Sequence, residues 1–330
     1  VAAQIPTECT PFPRSDRPRL AGVSSFGFSG TNAHVLVEEA APPLQRTSGL
    51  DRRAHLFALS AKSPKALKAL AVDYQKRLTV QPSPSLADVC HTAGAGRSHF
   101  AHRSAFVCES IGELTDKLAS LAAGQSTATD SARTPVQPPE VAMVFPAEVG
   151  LDEDFVRRLH QDWQVFREAI EACDRVIIDE KQFPVGEAWT GTWLDRVHRG
   201  PAYRSVALLA SQFALSELWK SWGVGAAEFV GSGLGNLAAD CAAGRRSLCD
   251  ALSLVIRDHL PTECEQPIRR LAGCNIVLEV TVGGVNDRSP RDDEEADWIV
   301  PAGRLLDSLA QLYLSGVDVN WRGLDRDRSR

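Results

Sequence analysis

The sequence predicts an α/β protein in two blocks, an α+β block followed by an α/β core. Two observations carry this expectation. Short apolar runs alternate with stretches of helical spacing along most of the chain, as when strands exchange with helices. In addition, a glycine-rich turn, Gly231-Ser232-Gly233-Leu234-Gly235-Asn236, follows one such apolar run and precedes a helical stretch. A sharp strand-to-helix turn of that kind is where an α/β core can hold a reactive group above its sheet.

The elements follow in order. Between Arg19 and Glu39, Gly27 and Gly30 sit beside Ser and Asn turn formers, and His34–Glu38 reads as a short strand. Spacing alone makes this a glycine-rich connection between two strands. Residues 41–52 read as a linker. His55–Ala61 reads as a strand, and Ser63-Pro64 as a helix entry with proline in the first helical position. Leu67, Leu70, Ala71, Tyr74 and Leu78 then recur at helical spacing. A second helix is expected over Leu86–Thr92, a strand over Ser104–Cys108, and a helix over Ile111–Ala123 that stops at Gly124. Residues 125–139 are polar and proline-rich and mark a boundary.

Beyond it, Val141–Phe145 reads as a buried strand and Phe155–Asp174 as one helix, with Leu159, Trp163, Phe166 and Ile170 on one face. Ser205–Trp222 reads as an amphipathic helix whose stripe is Leu208, Phe213, Leu215, Leu218 and Trp219, stopped by Gly223. Glu228–Val230 leads as a strand into the turn at Gly231, and a further helix is expected over Ser253–His259. The acidic stretch Arg291–Asp297 reads as a solvated loop.

Composition narrows the function. The 330 residues are 44% hydrophobic and 24% charged, and 36 basic against 42 acidic residues give a net charge of −6. That balance argues against a broad nucleic-acid footprint, which needs clustered excess positive charge. The eight cysteines show no C-x-x-C spacing, which argues for reduced thiols and against a metal site. His99 and His102 lack a third candidate ligand. No apolar run approaches the roughly 20 residues of a membrane helix, and no targeting segment is evident, so a cytoplasmic location is expected. The chain starts at Val1 within a motif-rich stretch, which reads as a piece of a longer polypeptide.

The phrase RLAGVSSFGFSGTNAHVLVEEA resembles the closing segment of the ketosynthase domain of modular type I polyketide synthases. The resemblance divides the chain into a ketosynthase end (1–40), a ketosynthase–acyltransferase linker domain (41–135, with GRSHFAHR), an acyltransferase-like domain with a shortened α/β core (136–315) and an exit linker (316–330). It implies that the ketosynthase cysteine and its two catalytic histidines lie upstream, and that His34 is not one of them.

In the acyltransferase family the active turn reads Gly-His-Ser-x-Gly-Glu. The resemblance places Ser232 at the His position, Gly233 at the nucleophile and Asn236 at the Glu. It puts Asp258 where active members hold an arginine for the malonyl carboxylate. Arg257 lies one residue along, about 100° around a helix. The Gly-Gln-Gly oxyanion loop becomes Ala147-Glu148-Val149. No counterpart exists for the ferredoxin-like subdomain or for the histidine base, and His259 is outside that slot.

The implied protein is a non-catalytic pseudo-acyltransferase, a scaffold and docking platform for a carrier protein or a trans-acting acyltransferase. No cofactor is expected on this stretch, since the carrier's phosphopantetheine and acyl-CoA belong to the parent synthase. Expected partners are the adjacent ketosynthase and acyl carrier protein, in a parent that dimerises through its ketosynthase. Three rivals stay open: an acyltransferase using Ser232, whose hydroxyl should point away from the oxyanion donors; a nucleotide loop, against which Asn236 replaces the third glycine; and a decayed domain with no role.

Overall fold

A computed structural model describes residues 5, 7–13, 15–41, 52–80, 84–125, 131–147, 152–179, 201–257, 274–281, 297–299 and 305–326. The chain divides into two compact units, Val1–Ser48 with Ser329–Arg330, and Gly49–Arg328.

In the first unit, β1 (Leu20–Phe26) and β2 (Asn32–Glu38) pair antiparallel as a hairpin. Gly30 supplies the left-handed backbone of the turn at φ +86°. Both faces carry exposed apolar side chains: Val23, Val35 and Val37 on one, and Leu20, Phe26 and Leu36 on the other. A two-stranded sheet with two apolar faces is marginal alone.

In the second unit, an antiparallel sheet has the order β3 (His55–Ala61), β4 (His102–Cys108), β5 (Ser131–Arg133). Its strands alternate between two cores. Phe57, Leu59, Phe106 and Cys108 face α1 (Pro64–Leu78), α2 (Leu86–Ala95) and α3 (Ile111–Ala123). Leu56, Ala58 and Ala105 join the larger core instead. The expected helix signals hold: the Ser63 hydroxyl accepts from the Ala66 N–H, and Gly124 ends α3 at φ +77°. Strand β5 is a difference. It lies inside the polar stretch read as a boundary, where backbone pairing with β4 outweighs composition.

The second sheet is parallel, in the order β7 (Glu228–Gly231), β6 (Val141–Phe145), β8 (Ile276–Glu279), β9 (Asp297–Ile299). Strand β6 is central and wholly buried. The stretch read as one helix from Phe155 is two, α4 (Glu153–Asp162) and α5 (Gln164–Asp179). They break at Trp163, whose backbone is extended at φ −129°, ψ 111°. The break lets Trp163 pack edge-on against Trp222 at 4.7 Å, under the Arg52 guanidinium 3.9 Å from its ring.

Helix α6 (Pro201–Ser221) differs from the expected amphipathic stripe. Ser211, Gln212 and Ser216 are as buried as Leu215 and Trp219, because α5, α7 (Gly235–Ala242) and α8 (Leu248–Ile256) pack around the helix. The helix expected over Ser253–His259 starts earlier and ends at Ile256, with Arg257 as its cap. Asp297 opens β9, and the rest of the acidic stretch lies outside the described residues.

Helix α9 (Leu305–Ser315) crosses the sequence-distant β3–β4–β5 sheet, and α10 (Trp321–Leu324) reaches α2. The motif containing His99 and Arg103 holds this return. The buried Arg103 guanidinium donates to the carbonyls of Tyr313 at 2.8 Å and Val317 at 3.1 Å, closing the C-terminal end of α9. His99 stacks on Trp321, bonds the Gly94 carbonyl through Nε2 at 2.9 Å and meets the Tyr313 hydroxyl at Nδ1, 2.6 Å away. A carbonyl only accepts, so Nε2 carries the proton and Nδ1 accepts from the tyrosine. Both ring nitrogens are thus used in packing. Burial pushes Tyr313 up to about 12 and His99 down, the nearby Arg103 charge lowering His99 further.

Two outcomes are expected. Arg103→Ala removes the charged donor shared by the Tyr313 and Val317 carbonyls, of which Tyr313 keeps the Gly316 N–H, costing about 2 kcal/mol and lowering the melting temperature by roughly 4–8 °C in a thermal scan. His99 has a native value below its unfolded one, so its contribution is complete above about pH 6.5 and fades as pH falls through the native value. Denaturant titrations from pH 7.5 to 5 should show declining stability, with a shallower slope in His99→Gln.

Candidate functional site

The candidate site lies at the carboxyl ends of β6 and β7, where α/β sheets open their crevices. Its shape is set by absent side chains. A Cβ on Gly235 would overlap the Phe145 carbonyl, and one on Gly231 would overlap the Gly235 backbone. These two glycines let α7 start directly against β6 and β7. Between them the chain turns sharply, with the Ser232 N–H donating to Phe145 at 3.0 Å and the Gly235 N–H to the Ser232 carbonyl at 2.8 Å. Gly233 stands at the apex with a left-handed backbone, φ +49°.

Ser232 departs from expectation. Its Oγ does not point away from the loop after β6; it accepts the Ala147 N–H at 3.0 Å. The cause is the Ser232 N–H bond to Phe145, which ties the residue to the end of β6 and turns its side chain towards Ala147. Gln212 was not singled out by the sequence reading. It is fully buried and donates to the Pro146 carbonyl at 2.9 Å, fixing the peptide just before Ala147. The one amide in the otherwise small or apolar run Val206–Leu215 of α6 was the signal that could have found it.

Thus Ala147, Ser232 and Gly233 are brought together, and Asn236 is half-buried in the first turn of α7. Glu148, Val149, Asp258 and His259 lie outside the described residues. Arg257 is exposed at the end of α8. Residues 257–275 separate α8 from β8.

Among the described residues, no group of three or more His, Cys, Asp or Glu side chains could hold a metal ion. No helix among them is long and apolar enough to cross a membrane. The described cysteines are free thiols, and burial pushes Cys108 up to about 12 and Cys241 up to about 11. Such thiols are poor nucleophiles.

Two family models match the chain: CurL-like, PKS C-terminal, over residues 55–118, and acyl transferase domain, over residues 156–275. Among solved structures, the acyltransferase domain of ZmaA shares 24% identity at a TM-score of 0.57, covering 64% of this chain and 49% of that one. The acyltransferase domain from module 8 of the salinomycin polyketide synthase shares 22% at 0.51, covering 62% and 49%. The fold is therefore a mixed α/β arrangement of acyltransferase type.

Sequence relatives narrow the class. The polyketide synthase GfsA of Streptomyces halstedii is 35% identical over 260 residues, 77% of this chain and 3% of that protein. The erythronolide synthase EryA3 of Saccharopolyspora erythraea is 34% identical over 278 residues, 82% of this chain and 8% of that protein. The chain belongs with the modular polyketide synthases, as an acyltransferase-type region preceded by its linker. It spans under a tenth of the length of these two relatives.

The elbow geometry gives a direct test. Gly235→Ala places a methyl group on the Phe145 carbonyl and should cost about 3 kcal/mol, read as a lower denaturant midpoint at unchanged m-value.

Proposed function

We propose that the acyltransferase-type region of this chain is non-catalytic and serves as a scaffold within a polyketide synthase. The observation that carries this is the apex of the elbow. An acyl-transfer nucleophile needs a side-chain oxygen or sulfur at the tip of such a turn, and Gly233 has none. The neighbouring hydroxyl, on Ser232, is engaged by the Ala147 N–H. In the sequence reading, Asp258 replaces the substrate-clamping arginine, and a carboxylate there would repel malonyl groups.

On this reading the region keeps a ketosynthase, the linker domain and a carrier protein at fixed spacing, and offers a docking platform to the carrier or to a trans-acting acyltransferase. Phosphopantetheine and acyl-CoA are then handled by other parts of a homodimeric cytoplasmic synthase. The packing supports a spacing role, since one hydrophobic core runs from the linker sheet through α9 to the parallel sheet.

One observation favours a second reading, an acyltransferase using Ser232. Its Oγ lies beside a backbone N–H, where an oxyanion donor would stand. Among the described residues, no base to deprotonate it lies at the elbow.

Single-turnover incubation with labelled malonyl-CoA and acetyl-CoA separates the readings. Neither the chain nor Gly233→Ser is expected to retain covalent label after denaturing gel separation. Label lost in Ser232→Ala would establish the second reading, and malonyl label on Gly233→Ser would show that one missing oxygen was the whole defect.

A further inference from the structure

We propose that Ala147 and Ser232 close the elbow at Gly233 from two sides, making the turn a packed, internally hydrogen-bonded plug instead of an open acyl-binding socket. This rests on Gly233 being the apex and deepens the non-catalytic reading by naming what fills the site.

The first part is steric. A Cβ built on Gly233 would lie 2.9 Å from the Ala147 Cβ, well inside the roughly 3.5–4.0 Å at which two carbons pack. The Ala147 methyl therefore occupies the space that a side chain at the apex would need. The left-handed backbone at φ +49° adds a separate penalty for any residue but glycine.

The second part is polar. The turn after β6 aims the Ala147 N–H into the elbow, and the Ser232 Oγ takes it at 3.0 Å. Neither partner is free to move aside. The Ser232 N–H is tied to Phe145, and the Pro146 carbonyl is held by Gln212. Among the described residues the Gln212 Oε1 has no partner, so a buried polar atom is left unpaired while its amide nitrogen fixes this turn. An incoming acyl oxygen would have to displace both a methyl group and a hydroxyl.

The test is a thermal double-mutant cycle on the full 330-residue chain, comparing Gly233→Ala with and without Ala147→Gly. Beside Ala147, Gly233→Ala should lower the melting temperature by about 6–10 °C. In the Ala147→Gly background the loss should fall to about half, leaving only the backbone penalty. Equal losses in both backgrounds overturn the steric part.

Hydrogen exchange of the peptide carrying the Ala147 amide supplies a second arm should Gly233→Ala not fold. Ser232→Ala should speed that amide's exchange about tenfold or more. Unchanged protection overturns the polar part. The two readings fail separately: additive losses refute the plug without producing an acyl-enzyme, and acyl label at another residue refutes the non-catalytic reading without altering the coupling.

Discussion

Gly235 stands so close to the Phe145 carbonyl that a methyl group there would overlap it. The rest of the elbow is arranged around this approach. It brings the first turn of α7 against the end of β6, which compresses residues 231–234 into a sharp turn and forces the left-handed backbone at Gly233. The same closeness carries the Ser232 N–H to Phe145 and the Ser232 hydroxyl to Ala147. A turn of this kind suits a nucleophile when the space beyond its apex is open, and here the Ala147 methyl stands 2.9 Å from where a Gly233 Cβ would lie. The apex residue, Gly233, carries only a hydrogen atom.

The linker sheet shows a different economy. Its strands serve two cores because successive side chains point to opposite faces. Phe57 and Leu59 meet three helices that follow closely in sequence, whereas Leu56 and Ala58 meet a core completed by α9. The second contact spans more than two hundred residues of chain, and its loop-closure cost falls on whatever holds α9 in place. Arg103, His99 and Trp321 do this with charge-assisted hydrogen bonds and ring stacking. The motif whose two histidines first invite a metal reading is better understood as the fastening of a distant helix.

Much of this was legible from sequence where local rules govern. The Ser63-Pro64 start, the Gly124 stop and the strands at His55 and Val141 each depend on a few adjacent residues. The break at Trp163 was not legible, because no proline or glycine marks it; the indole leaves the helical path to pack against Trp222 and Arg52, contacts that exist only in the folded chain. Strand β5 likewise owes its existence to the edge of β4. At the site, the glycine pattern announced a tight turn, but the direction of the Ser232 hydroxyl and the strut from Gln212 depend on how β6, β7 and α6 meet.

The ion pair between Arg52 and Asp325, 3.1 Å across and reinforced by His91 on the same carboxylate, joins residues at the two margins of the second unit. Arg52 also donates to the Leu324 carbonyl. The intervening chain is therefore a loop pinched at its neck. Length added or removed inside such a loop alters its bulk while its neck keeps the same width. The neck thus fixes where Arg52 and Asp325 meet through contacts that involve no group at the elbow.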